Sequence, residues 1–302
     1  MFPTMKNCST RRNLLQSFAL VAAGAATGAG SALVSGTPAR AQALAASGKP
    51  SPIRLGLTSD TFRNFSRAQL IAYMEQFNVY SLNCKDVKDH LPVDPTLEMQ
   101  ALEDYASAGI TLHAAGAIAF LTDDEAGIRG KFEYARRAGI NLIVADSAPV
   151  ALPRIEAFVH EYDIRVAIRN RGPEDNFFPA PIDVLKAIKV LDPRIGCCID
   201  VSQAARANAN LVDAIHAAGP RLYDIHVNDL ASIAGKERQV AVGRGTLPFR
   251  EIFETLIEIN YPGFVDLAYE IDPDNPIVGV AESYAYMRGV LDGMGYLTRT
   301  AS

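Results

Sequence analysis

From Ile53 onward the chain alternates short apolar runs with longer amphipathic segments, and this recurrence is its main architectural signal. The apolar runs predict strands at Ile53 to Leu57, Val79 to Cys84, Thr111 to Ala115, Asn141 to Ala145, Ile164 to Ile168, Ile195 to Ile199, Leu222 to Val227 and Phe264 to Ala268. Helices are predicted between them. Ser66 caps one ahead of Arg67-Ala68-Gln69-Leu70, and Asp94 caps another that has Pro95 at its first position. Gly109, Gly139 and the Pro262-Gly263 pair stop helices just before strands. Near-continuous apolar strands joined by helices indicate a parallel sheet covered on both faces. Eight such units over roughly 240 residues fit a single-domain α/β fold, the closed (β/α)8 TIM barrel, better than an open doubly wound sheet. No G-x-G-x-x-G follows the first strand, so a dinucleotide-binding fold has little support.

A barrel keeps its functional groups at the C-terminal ends of its strands. Those ends are where this sequence turns polar: Ser59-Asp60, Lys85-Asp86, Asp146, Arg169-Asn170-Arg171, Asp200, His226 with Asp229, and Tyr269-Glu270. One such residue alone would pass for a solvated loop. Together they form a ring around one mouth.

Composition narrows the remaining choices. The 302 residues are 49% hydrophobic and 21% charged, which suits one large globular domain with a sizeable core. The net charge of -5 is mixed along the chain and leaves no basic stripe for a phosphate backbone, which excludes nucleic acid as an expected partner. At the N-terminus, Thr10-Arg11-Arg12-Asn13-Leu14-Leu15 precedes a small Ala/Gly-rich run and then Ala39-Arg40-Ala41. That order predicts a twin-arginine signal peptide over 1–41, delivery to the periplasm by the Tat export machinery, and a mature chain starting near Gln42. An Ala/Gly run would hold a bilayer weakly, so no stable membrane anchor is expected after cleavage. A linker over 42–51, the barrel over 52–296 and a tail over 297–302 complete the expected organisation. Cleavage removes Cys8 and leaves Cys84, Cys197 and Cys198, an odd number with no disulfide framework or zinc spacing. The adjacent pair should point to opposite faces of its strand as small core residues.

Three stretches carry a closer likeness: Ile195-Gly-Cys-Cys-Ile-Asp200, Arg221-Leu-Tyr-Asp-Ile-His-Val-Asn-Asp229, and Val242-Gly-Arg-Gly245 leading to Tyr269-Glu-Ile-Asp-Pro-Asp-Asn-Pro276. With Val280-Ala-Glu-Ser-Tyr in the last helix, they resemble the xylose-isomerase-like sugar phosphate isomerase/epimerase family, in particular its exported branch, from about Pro52 to about Asp292. The resemblance implies a divalent metal, Mn, Mg or Zn, held by an acid or His after the fifth strand, an Asp after the sixth, a His after the seventh and a Glu on the eighth. Such a metal polarises a sugar carbonyl while flanking carboxylates move a proton between neighbouring carbons. Asp200 and His226 stand at two of the four positions. The other two read Arg169 and Ala268, and a further expected His is Gln203. Arginine offers only donors and alanine offers no ligand. Glu270 or Asp266, which share the face of position 268, are the residues that would have to supply the missing carboxylate. The alternative is that Arg169 fills the metal's place and pairs with Asp200, with Arg171 left to hold a carboxylate or phosphate.

The candidate catalytic residues are therefore Asp200, His226, Glu270 and Lys85. Candidate substrate contacts are Arg169, Arg171, Gln203, Asp229, His90 and Arg244, the last between two glycines on a loop. Lys85 or Lys88 with His90 resembles the family's strand-two Lys…His-Leu-Pro stretch, with altered spacing, and the resemblance implies contacts with substrate hydroxyls. His113, His160 and His216 read as structural. Two function classes follow: an isomerase or epimerase acting by proton transfer on a small carbohydrate or sugar acid, or a catalytically reduced barrel that binds an anion or serves another exported protein.

Overall fold

A computed structural model describes residues 49–233 and 239–297. The expected leader with its cleavage motif, Cys8, the expected linker up to residue 48 and residues 298–302 lie outside the described residues. Within the compact unit Ser47–Ser302, eight parallel strands close on themselves. They are β1 Arg54–Thr58, β2 Ser81–Cys84, β3 Thr111–Phe120, β4 Leu142–Ser147, β5 Arg165–Arg169, β6 Ile195–Asp200, β7 Leu222–Val227 and β8 Phe264–Leu267. Sequential strands pair all the way round, and β8 returns to β1 with Phe264 opposite Arg54. Each predicted strand is present at its place. The largest difference is β3, which continues to Phe120, five residues past the expected Ala115, with a register shift against β4 between Ala115 and Ile118.

Outside the strands run α1 Arg67–Phe77, α2 Pro95–Ser107, α3 Glu125–Arg137, α4 Leu152–Tyr162, α5 Pro181–Ile188, α6 Val201–Arg206, α7 Leu211–Ala218, α8 Phe249–Glu258 and α9 Ile277–Gly293. Their starts follow the side-chain chemistry. Ser66 and Gln69 form a reciprocal capping box at α1, and Asp94 accepts from the backbone of Thr96 and Leu97 ahead of Pro95. Leu57, Phe62, Leu70, Met74 and Phe132 belong to the large apolar layer between strands and helices, all fully buried.

A second, smaller cluster of Ala114, Leu142, Val144, Ala167 and Cys198 fills the inside of the barrel. Cys197 lies in the outer layer and Cys198 in the inner one, as strand alternation requires. Small side chains on this inner face leave room for polar ones. At Gly56 a Cβ would fall 2.0 Å from Asp266 Oδ1, so only glycine lets the Asp266 carboxylate occupy the barrel axis. At the opposite end from the mouth, Lys49–Pro50 pairs in parallel with Tyr296–Leu297, joining the two ends of the described chain.

Candidate functional site

Side chains two apart on a strand share a face, so Asp224 and His226 on β7, Asp266 on β8 with Ala268 just beyond it, and Cys198 and Asp200 on β6 all turn inward. The strands deliver them in register: Asp200 stands opposite His226, and His226 opposite Asp266. At the mouth a polar recess of about 40 Å³ is lined by Asp60, Lys85, Asp146, Arg169, His226 and Glu270, with Thr58, Gly116, Ala117 and Ala268 between them. That is space for about three waters, so the recess admits a reacting group and leaves the rest of a substrate in the open mouth.

Arg169 dominates the charge of this recess. Its Nε and Nη2 donate to the two oxygens of Asp146 at 2.9 and 3.0 Å, a bidentate clamp, while Nη1 reaches Asp200 Oδ2 at 3.5 Å. The expected Arg169–Asp200 pairing is thus the weaker of two contacts, and Asp146 is the main partner. Burial would lift the Asp146 carboxyl, but the Arg169 guanidinium more than reverses this and holds it below the usual carboxylate range. Burial likewise opposes the charge on Arg169, and the two carboxylates keep it firmly protonated.

Asp200 is held from several sides. Its Oδ1 caps α6 by accepting from Gln203 N and Ser202 Oγ, both at 3.1 Å, and its backbone exchanges hydrogen bonds with the Asn170 side chain. Lys85 Nζ pairs with Asp60 at 2.6 Å, both about a quarter exposed. Glu270 sits at the rim, open to solvent on one side. Desolvation of its carboxyl by the crowded mouth, followed by the Asp200 charge, raises its pKa.

The metal position that the sequence resemblance implies does not fit a cation in this chain. A guanidinium occupies it from β5, and Ala268 supplies no donor on the β8 side. His226 lines the recess, and its Nε2 lies 3.2 Å from Asn83 Nδ2 and 3.7 Å from Asp224 Oδ2. Asp266 has not risen to replace the missing ligand. It is fully buried one layer down and accepts from His113 Nε2 at 2.9 Å. Burial pushes the Asp266 carboxyl up to about 6 despite that imidazole. This inner layer brings together two groups of metal-capable side chains, Cys198 with Asp224 and His226, and His113 with Asp224 and Asp266.

Four expected substrate contacts point elsewhere. Asp229 is buried and accepts from the backbone N–H of Leu230, Gly243, Gly245 and Leu247, so it shapes the loop after β7. A Cβ on Gly245 would meet Asp229 Oδ1 at 2.2 Å, which explains the glycine. Arg244 is clamped by Glu282 on the outer surface at 2.7 and 2.6 Å. His90 is buried with Nε2 on Phe65 O at 2.9 Å, and burial lowers its pKa. Gln203 accepts from Arg206 at 2.9 Å over Gly172, outside the recess lining. Arg171 lies nearer the rim, half-exposed and 3.4 Å from Asp175. The recess adds Asp146 and Asp60, which the sequence displayed as polar strand ends without tying them to a role. His160 and His216 are solvent-facing helix residues beside Asp192 and Glu258. His113 is an inner-barrel residue.

Residues 150–290 match the family model of the xylose isomerase-like TIM barrel. No curated protein matches the chain. Among solved structures it is similar to 3-keto-D-glucoside 4-epimerase from E. coli, with a TM-score of 0.64 and 17% identity over 78% of this chain and 99% of that one. It is similar to D-allulose 3-epimerase from Methylomonas sp., with a TM-score of 0.63 and 14% identity over 81% and 100%. A third is the IOLI protein with a bound zinc atom, with a TM-score of 0.65 and 14% identity over 80% and 99%. These are likenesses of fold.

Proposed function

We propose that this xylose isomerase-like barrel is a sugar isomerase- or epimerase-like enzyme that moves a proton on a carbon beside a carbonyl of a sugar or sugar derivative. The observation that carries this reading is one recess lined by acid–base groups on both sides of the barrel. Glu270 and the Lys85–Asp60 pair follow β8, β2 and β1, and the clamped Arg169 faces them from β5. The epimerase names among the similar structures support a carbohydrate as the small-molecule ligand.

In this reading Arg169 takes over the electrostatic task at the former metal position. Its guanidinium, already oriented by Asp146, receives the substrate carbonyl oxygen and stabilises the negative charge that develops there as the neighbouring carbon loses its proton. Glu270, with its raised pKa, is the base that takes that proton. Lys85 is the acid placed to return one. The anion-binding alternative has less support, because both cations that line the recess are already held by carboxylates, Arg169 by Asp146 and Asp200 and Lys85 by Asp60. Export by the Arg11-Arg12 leader is proposed with this function, on the sequence pattern alone.

Solvent exchange tests the chemistry directly. Incubation with a panel of ketoses and 3-keto sugars in D2O should introduce deuterium at a carbon next to the carbonyl, followed by NMR. Glu270→Gln should slow this by about 100-fold or more. No exchange across the panel, or equal exchange in the variant, would refute the assignment.

A further inference from the structure

Below the recess, the inner face of the barrel carries donors that the proton-transfer chemistry does not use. Cys198, Asp224 and His226 each place one ligand atom within 4.8 Å of the others, and all three are buried. Beside them stands Asn83, fully buried, whose Nδ2 lies 3.2 Å from both Asp224 Oδ2 and His226 Nε2. In this arrangement Asn83 Oδ1 and Asp266 Oδ1 have no hydrogen-bond partner, although both residues are fully buried. An orphaned buried acceptor carries a desolvation cost that folded proteins rarely leave unmet. The one on Asn83 lies next to a thiol, an imidazole and a carboxylate, a set of donors suited to a cation.

We propose that this layer is a binding site for a zinc-class divalent cation, held by Cys198 Sγ, Asp224 and His226, with Asn83 Oδ1 as the fourth donor after a half-turn of its amide. The mixed sulfur, nitrogen and oxygen set suits a borderline-soft, tetrahedral ion better than magnesium or calcium, which prefer oxygen alone. Ligands about 2.1 Å from a tetrahedral ion stand about 3.4 Å from one another. The Asn83 amide nitrogen already stands 3.2 Å from two of its neighbours, so the turned oxygen would meet that spacing without backbone movement. Charge also closes. One dication is neutralised by the Cys198 thiolate and the Asp224 carboxylate, the thiol proton leaves to solvent as the bond forms, and Asp266 keeps His113 as its own partner. His226 belongs both to this donor group and to the lining of the recess above it.

Cobalt(II) is the probe, because a thiolate ligand announces itself by a near-ultraviolet charge-transfer band. The full chain carrying Cys8→Ser, stripped with chelator and titrated with cobalt(II) alone, should bind one ion per chain with that band. Zinc should displace the ion and raise the thermal transition. Cys198→Ser should abolish the band and weaken binding at least about 10-fold, while Cys84→Ser and Cys197→Ser keep both. Circular dichroism of each variant checks the fold. The unmutated barrel decides the matter even if Cys198→Ser fails to fold: a folded protein that shows no thiolate band with saturating cobalt(II) overturns the site. A band that survives Cys198→Ser overturns it equally.

Discussion

Asp146→Asn is the most informative single change, because it removes the charge that orients Arg169 and leaves the side chain's shape almost intact. Deleting one partner of a fully buried ion pair costs about 3–5 kcal/mol. Here the two side chains keep 19% and 17% of their exposure, and Asp200 at 3.5 Å remains as a second acceptor. The expected cost is therefore about 2–3 kcal/mol. Urea denaturation should show it as a lower midpoint with an unchanged slope. Arg169→Met should also destabilise, by leaving Asp146 and Asp200 facing each other without a cation. The double variant should cost less than the sum of the two, with a coupling of about 1–2 kcal/mol. The pH dependence has a defined sign. Asp146 is depressed in the folded state, so its contribution is complete above the ordinary aspartate pKa of about 3.9 and fades as pH falls through the lower folded value. The stability gap between wild type and Asp146→Asn should narrow over that acid range. A cost below about 0.5 kcal/mol, or strict additivity in the double variant, would place the pair among ordinary surface ion pairs and refute the clamp.

Three further outcomes follow. The deuterium-exchange rate should rise with pH through a midpoint above the ordinary glutamate value of about 4.3, because the raised carboxyl of Glu270 must lose its proton before it can act as base, and the limb should vanish in Glu270→Gln. Asp229→Ala strips four backbone N–H groups of their acceptor and should cost about 2–4 kcal/mol in denaturation, with faster amide exchange at Gly243, Gly245 and Leu247. Replacing Arg11 and Arg12 together by lysine should leave precursor in the cytoplasm, as read by cell fractionation.

The barrel strands were legible because a strand covered on both faces is apolar almost throughout, and the caps at Ser66 and Asp94 act through atoms within three residues of one another. The extension of β3 was not, although Gly116-Ala-Ile-Ala-Phe120 continues the apolar run, because a glycine inside such a run also reads as its end. The ring of polar strand ends marked the mouth, where Asp60, Lys85, Asp146, Arg169, His226 and Glu270 line one recess. What stayed hidden was direction and partner. Asp146 binds Arg169 from the neighbouring strand, a contact set by register. Asp229 and Arg244 looked like substrate contacts, yet their partners are backbone N–H groups 14–18 residues away and a glutamate 38 residues away. The inner His113, Asp224 and Asp266 lie inside runs that are otherwise apolar, where a polar residue is easily taken for a pleat turned outward. Parity gives the face of a strand, but only closure of the barrel shows that this face is an interior.

The parallel pairing of Lys49–Pro50 with Tyr296–Leu297 has a mechanical consequence. Its bonds, Lys49 N to Gly295 O and Ser51 N to Leu297 O, both 3.2 Å, lie across the chain's two exits. In a parallel pair the chain enters one strand and leaves the other in opposite directions along the same axis. Tension between the two ends therefore loads both bonds at once, in shear, before it reaches the barrel. Pulled from its ends, as in an optical trap, the molecule should give up this clasp as a distinct first step.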